Sequence, residues 1–241
     1  MQVIRISNYR SYIHVVLRNH SIQSNHVMEL NPKETALVLI EFQNDFTTEG
    51  GIFYGAVKGV MNSNNMLQNT VDTVKAAREA GIKIVYVPIS FTEDYREVTS
   101  TPYGIMKGVV DNGAFKKNTW GIEIADVLTP EKEDIIIEGK RSFCGFASTN
   151  LDFILRGMGI KNVVLTGYLT NCCVESTMRT AYDKGYNVIT LTDCCATLSQ
   201  EEHDNALKSD FPMFSQPMSH TAFIDVIANE TVLELKGKGY E

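Results

Sequence analysis

The sequence lacks any apolar run that reaches the roughly 18–20 residues a membrane-spanning helix needs. It also lacks a basic surplus, because 22 Lys and Arg residues stand against 29 Asp and Glu residues, for a net charge of −7. A mild acidic excess argues against nucleic acid or an anionic membrane as the main partner. At 241 residues, the chain is long enough for one α/β domain with a substantial core.

Cysteine is scarce, and its spacing excludes two common uses. The five cysteines are Cys144, Cys172, Cys173, Cys194 and Cys195. Adjacent pairs do not have the C-x-x-C spacing of a zinc or redox site, and a chain of this size does not need a disulfide framework. We therefore expect reduced thiols and a cytoplasmic location.

The first 28 residues contain no Asp or Glu, but they include Arg5, Arg10, Arg18 and several serines. This composition is typical of an organelle transit peptide, but we favour a dispensable, disordered tail as the simpler interpretation. The sequence therefore predicts an N-terminal extension over residues 1–30 and one domain over residues 31–241. If residues 1–28 are a transit peptide, the protein is mitochondrial or lies in another organelle.

Short apolar stretches alternate with helical patterns along the chain. Each stretch is nearly continuous, which is typical of a strand buried on both faces of a sheet. The alternation predicts an α/β protein with a three-layer αβα Rossmann-like fold and a mostly parallel six-stranded sheet. The predicted strands are Ala36–Phe42, Ile82–Ile89, Asp134–Glu138, Asn162–Gly167, Asn187–Thr192 and a weaker one near Met213–Ser215; the predicted helices are Val60–Ala80, Thr149–Arg156, Cys173–Lys184 and Glu201–Ser209.

Polar side chains follow three of the predicted strands. Glu41 comes at the end of the first strand, Lys140 after the third, and Cys172 and Cys173 after the fourth. Ligands of open parallel sheets bind beyond the carboxyl ends of the strands, so these groups are expected to converge. The irregular, polar segment over residues 90–133 is typical of a lid or an oligomer contact. Candidate substrate contacts around the site are Gln43, Asn171, Trp120, Phe115 and Arg141.

The helical phase distinguishes the two adjacent cysteines. With 100° per residue, Val174, Met178 and Ala181 define a buried face, and Cys173 lies at its margin. Cys172 falls on the solvated side. A nucleophile must be partly covered yet reachable, so the phase favours Cys173.

A cysteine at the start of a helix has chemistry available to it. Free N–H groups and the helix dipole favour a thiolate and predict a lowered pKa for the thiol. The same N–H groups can hold an oxyanion. A nearby carboxylate can take the thiol proton and later pass it to a leaving amine, as acyl transfer through a thioester requires.

Three segments resemble the isochorismatase-like cysteine hydrolase superfamily, most closely its ureidoacrylate and biuret amidohydrolase branch. They are TALVLIEFQNDFTTEGG, GKRSFCGFASTNLDFILRGMGIKNVVLTG and TGYLTNCCVESTMRTAYDKGYNVITLTDCCAT. The resemblance covers residues 34–228 in the family's order. It implies a homo-oligomer, a dimer or tetramer, and a small-molecule substrate.

The resemblance also implies an acid–lysine–cysteine triad of Glu41, Lys140 and Cys173. The family's acid is aspartate, whereas this chain has glutamate, which extends the carboxylate by about 1.5 Å. Either the site accommodates Glu41, or Asp45 serves instead, or activity is weak or lost. The resemblance further implies a cis peptide before Leu169, with the N–H groups of Leu169 and Cys173 forming an oxyanion hole.

Two absences narrow the predicted function. PISFTEDYREV, after the second strand, has no histidine, so the metal cluster of nicotinamidases is not expected, and no cofactor is predicted. True isochorismatases typically lack the cysteine. We therefore predict a metal-independent amidohydrolase that cleaves a C–N bond of a small amide or ureide through a thioester. The alternatives are an isochorismate hydrolase and a catalytically impaired member that acts in binding or assembly.

Overall fold

The structure, a computed structural model, describes residues 30–237. The predicted extension and its transit-peptide interpretation lie outside the described residues, except for Leu30, whose side chain is buried in the core. No helix within residues 30–237 is both long and apolar enough to cross a membrane.

Strands and helices alternate as the hydrophobic pattern predicts. The strands are β1 Thr35–Ile40, β2 Lys83–Val87, β3 Ile135–Ile136, β4 Asn162–Tyr168, β5 Asn187–Ala196 and β6 Gln216–Met218. The helices are α1 Asn44–Thr47, α2 Tyr54–Ser63, α3 Met66–Glu79, α4 Gly104–Asn112, α5 Leu151–Gly157, α6 Glu175–Asp183, α7 Gln200–Ser209, α8 Phe211–Phe214 and α9 His220–Gly237, with short 3₁₀ turns at Pro32–Glu34, Trp120–Ile122 and Asp126–Leu128 and a π-helical turn at Thr170–Val174.

The six strands form one sheet in the order β3-β2-β1-β4-β5-β6, and every neighbouring pair is parallel. This confirms the predicted fold class. From β1 the chain adds β2 and β3 toward one edge of the sheet. It then crosses back and adds β4, β5 and β6 toward the other edge, so the direction of strand order reverses between β1 and β4. A crevice opens at such a point, beyond the carboxyl ends of the two strands.

The sheet is buried on both faces, which explains its continuous apolar strands. Along β1, Leu37 and Leu39 pack into one hydrophobic layer with α2, α3 and α9. Val38 and Ile40 pack into the other layer with α5, α6 and α7. Because side chains alternate between the faces of a strand, both sets must be apolar.

Gly167 lets the ends of β1 and β4 approach each other. Its φ is +128°, and a Cβ there would collide with the carbonyl oxygen of Ile40. Only glycine meets both conditions easily. The residues that follow these two strands are thereby brought together.

Two predicted elements were misplaced. The single helix predicted over Val60–Ala80 is two helices, since Asn65 adopts a left-handed backbone (φ +52°) between them. Asparagine tolerates that conformation better than most residues. The last strand runs over Gln216–Met218 rather than near Met213–Ser215, because Pro212 lies in the first turn of the short helix α8.

Candidate active site

Glu41 lies directly beyond β1, at the crevice. Its backbone has a positive φ of 58°, its N–H donates to the Val87 carbonyl (3.3 Å), and its carbonyl accepts from the Gln43 N–H (2.7 Å). These contacts fix a sharp bend where the strand ends. The carboxylate side chain is only 2% exposed and lines a cavity.

Lys140 is fully buried, at 0% exposed, in the loop after β3. Its ammonium donates to a carboxylate oxygen of Glu41 and to the Ser142 carbonyl (2.6 Å). Burial alone would lower the pKa of Lys140, but the Glu41 carboxylate and the cysteine thiols outweigh it, and the pKa is raised. Lys140 therefore remains a cation that holds the Glu41 carboxylate in place.

Cys173 lies in the π-helical turn that joins β4 to α6. The N–H groups of Cys172 and Val174 both donate to the Leu169 carbonyl (3.0 and 3.2 Å), and the Thr177 hydroxyl donates to the Cys173 carbonyl (2.7 Å). These bonds hold the turn that contains the Cys173 thiol. Cys173 is 3% exposed and faces the same cavity as Glu41.

The pKa of the Cys173 thiol is raised, contrary to the sequence argument from the helix start. The neighbouring Cys172 thiol, burial and the Glu41 carboxylate raise it, and the Lys140 ammonium opposes them. Interaction with Cys173 lowers the pKa of Cys172, which is half-buried. Cys173 at rest is thus a thiol that needs a base, and Glu41 is the carboxylate beside it.

The shared cavity measures about 320 Å³ and is almost entirely apolar. Besides Glu41, Cys173 and Gly108, the described lining residues are Phe46, Phe53, Ile89, Ile105, Met106, Val109, Phe115, Phe143, Leu169 and Leu198. Its size suits a small molecule.

The peptide bond between Tyr168 and Leu169 is cis, as the resemblance implied. Leu169 lines the cavity beside Cys173. The oxyanion hole of the Leu169 and Cys173 N–H groups stays a prediction.

Of the five predicted substrate contacts, Phe115 lines the cavity. Its N–H donates to Asp45 (2.7 Å), whose other carboxylate oxygen accepts from the Ile52 N–H (3.3 Å). Asp45 therefore connects two chain segments and is not among the lining residues, whereas Glu41 is, so Glu41 stays the predicted acid.

The other four candidates are outside the set of lining residues. Gln43 is buried and its amide bonds the backbone of Ile89 and Ile122, which holds the crevice wall rather than a substrate. Asn171 is exposed and accepts a hydrogen bond from Thr197 (2.6 Å). Each therefore has a structural role already.

Trp120 and Arg141 border different clefts. Trp120 lies beside Asn44, whose side-chain amide donates to its carbonyl (3.0 Å). Arg141 pairs with Glu97 (3.2 Å) and donates to the Lys140 carbonyl (3.0 Å). Its guanidinium is occupied away from the cavity that Cys173 faces.

Sequence reasoning missed the apolar wall. Helix α4, inside the segment expected to be a lid or oligomer contact, contributes Ile105, Met106, Gly108 and Val109. The apolar spacing in GIMKGVV was the available signal. Within the described residues, no group of three or more His, Cys, Asp or Glu side chains is placed to hold a metal ion.

Comparison with known proteins agrees with this architecture. The chain is 34% identical over 175 residues to the ureidoacrylate amidohydrolase RutB of Agrobacterium fabrum, covering 68% of this chain and 76% of the relative. It is 33% identical over 179 residues to RutB of Acinetobacter baylyi, covering 70% and 73%.

Solved structures share the fold. A cysteine hydrolase from Pseudomonas syringae pv. phaseolicola superposes with a TM-score of 0.74 at 23% identity, covering 84% of this chain and 96% of that one. An N-carbamoylsarcosine amidase from Thermoplasma acidophilum gives 0.60 at 24% identity, covering 78% and 96%. The sequence model of the Isochorismatase domain family matches residues 35–222, so the chain belongs to the isochorismatase family.

Proposed function

We propose that this protein is a cysteine hydrolase that cleaves a C–N bond of a small amide or ureide through a thioester, without a metal. One observation carries the proposal: Glu41 and Cys173 face the same cavity, and the buried Lys140 holds the Glu41 carboxylate. The amidohydrolase names of the RutB relatives support the same bond class.

The first half-reaction acylates the enzyme. Glu41 takes the proton from the Cys173 thiol, and the sulfur attacks the substrate carbonyl. The oxyanion is held by the N–H groups of Leu169 and Cys173. Lys140 stabilises the sulfur's negative charge. Glu41 gives its proton to the leaving nitrogen, and the C–N bond breaks. Ammonia or an amine departs, and the acyl group stays on the Cys173 sulfur as a thioester.

The second half-reaction releases the acid. Glu41 takes a proton from water, and the resulting hydroxide attacks the thioester carbonyl. The C–S bond breaks, and the proton returns to the Cys173 sulfur. One water is consumed for each amide bond broken, and no step uses a metal.

An ammonia-release screen over amides, ureides and biuret tests this function, with isochorismate as the comparison substrate. We expect ammonia from at least one C–N substrate, and none when Cys173→Ala replaces the native protein. Pyruvate release from isochorismate by Cys173→Ala would instead support the isochorismatase alternative. Failure to release ammonia from any member of the panel would contradict the proposal.

A further inference from the structure

Among the described residues that line the cavity that Cys173 faces, one has a charged side chain. Among its described lining residues, Glu41 is an anion, and none is a Lys, Arg or His. Lys140, the cation that contacts Glu41, is fully buried and already donates to Glu41 and to the Ser142 carbonyl. Arg141, adjacent in sequence, is paired with Glu97 and borders another cleft.

The rest of the lining is apolar and comes from several parts of the chain. Phe46 and Phe53 follow β1, Phe115 follows α4, and aromatic contacts join the three rings at centroid distances of 5.1–5.9 Å. Phe143 comes from the Lys140 loop. The part of a substrate away from its reacting carbonyl therefore meets hydrocarbon and aromatic surface.

We infer that the substrate is an uncharged amide or ureide that carries an apolar substituent, and that carboxylate-bearing substrates are rejected. A carboxylate against this lining would lose water, meet no cationic lining residue and face the Glu41 carboxylate, which is strongly unfavourable. An alkyl or aryl group would instead be removed from water against matching surface. This inference rests on the proposed function and specifies its substrate class.

Two amides of the same shape isolate the effect of charge. 4-Methylpentanamide and succinamate have the same CH2CH2CONH2 portion, but the first ends in an isopropyl group and the second in a carboxylate. We expect kcat/KM to favour 4-methylpentanamide by at least about 100-fold. Along butanamide, pentanamide and hexanamide, each methylene is expected to raise kcat/KM about fourfold until the cavity is full. Preference for succinamate or for ureidoacrylate would overturn the inference.

A cation introduced at the rim should reverse part of this preference. Ile105 lines the cavity yet is 40% exposed, so a longer polar side chain can be accommodated there. The kcat/KM for 4-methylpentanamide divided by that for succinamate should be at least tenfold smaller in Ile105→Arg than in Ile105→Gln. The glutamine variant is the control, because it adds length without charge. Tyr103→Arg, at an 84% exposed position outside the lining, should leave the ratio unchanged. An unchanged ratio in Ile105→Arg would contradict the inference.

Binding to the Cys173→Ala protein separates this inference from the proposed function, since it needs no turnover. By calorimetry, 4-methylpentanamide should bind at least tenfold more tightly than succinamate. Equal affinity, the reverse order or no binding of the apolar amide would overturn the substrate class. Absent turnover combined with the expected binding order would instead overturn the hydrolase and leave the cavity's selectivity standing.

Discussion

The Lys140 ammonium donates directly to the Glu41 carboxylate, and both side chains are buried. The two groups follow strands that are not adjacent in the sheet, and their separation by 99 positions in sequence makes this a tertiary contact. Because the pair lies in a low-dielectric site, each charge depends on the other for stability. In the proposed mechanism, Lys140 fixes the position of the Glu41 carboxylate, which then acts as the base for the Cys173 thiol.

Glu41 can be tested as a base by changing its chemistry and its reach separately. Glu41→Gln keeps the length but cannot accept a proton, and we expect kcat to fall about 10²–10⁴-fold. Glu41→Asp keeps the acid but retracts it by about 1.5 Å, which should cost about 10²-fold. Steady-state ammonia release measures both. Full activity in both variants would show that Glu41 is not the base.

Lys140 should matter for stability as well as activity. Lys140→Met leaves the Glu41 carboxylate buried without its partner, so the free energy of unfolding should fall by about 3–5 kcal/mol. Lys161→Met is the matched control, since its pair with Glu34 is exposed and should contribute no more than about 1 kcal/mol. Urea unfolding measures both, and equal losses would contradict a structural role for the buried pair.

The two adjacent thiols should react at different pH. The pKa of Cys172 is lowered by its interaction with Cys173, whereas that of Cys173 is raised by Cys172, burial and Glu41. Iodoacetamide labelling followed by peptide mass mapping should therefore modify Cys172 at lower pH than Cys173.

Single substitutions should uncouple the pair. Cys172→Ala should lower the pKa of Cys173, and Cys173→Ala should raise that of Cys172. If Cys173 were labelled at a lower pH than Cys172 in the native protein, the predicted order of the two pKa values would be wrong.

His203 links the turn that contains Cys173 to the C-terminal end of α2. Its ring bonds the Thr170 hydroxyl (2.8 Å) and the side-chain amide of Asn64 (3.1 Å), and burial lowers its pKa. The native state thus binds a proton less readily than the unfolded chain. The contribution of His203 to the free energy of unfolding is therefore fully present above about pH 6.5. It falls below that pH by up to about 1.4 kcal/mol for each pH unit.

Urea unfolding at a series of pH values between 7.5 and 5 measures this loss. His203→Asn has no imidazole to titrate, so its stability should fall less steeply over that range than that of the native protein. Parallel curves for the two proteins would contradict a titrating role for His203.

The sequence was sufficient to predict the fold and the convergence of Glu41, Lys140 and Cys173 at the ends of strands. Continuous apolar strands show burial on both faces, and strand order places Glu41 and Cys173 beyond adjacent strands. Polar groups at strand ends are visible in a sequence because they interrupt apolar runs.

The cavity walls were harder to predict. Apolar residues such as Ile105 and Phe143 look like core residues in a sequence, and only tertiary packing shows that they surround a space. Gln43 was predicted to contact the substrate, but a polar side chain near a strand end can instead hold the backbone of a neighbouring segment. Its hydrogen bonds to the Ile89 backbone show that it has this structural role. The raised pKa of Cys173 depends first on the Cys172 thiol and then on burial and on Glu41, and the last two are tertiary features that local helix geometry does not reveal.

Ammonia release by Cys173→Ala and Cys172→Ala, measured side by side with the native protein on its best amide, shows which of the two thiols is the nucleophile. The two variants remove one thiol each from neighbouring positions in the same turn. We expect Cys173→Ala to lose at least about 10³-fold in kcat, while Cys172→Ala stays within about tenfold of the native rate. Native turnover by Cys173→Ala would contradict the assignment of Cys173 as the nucleophile.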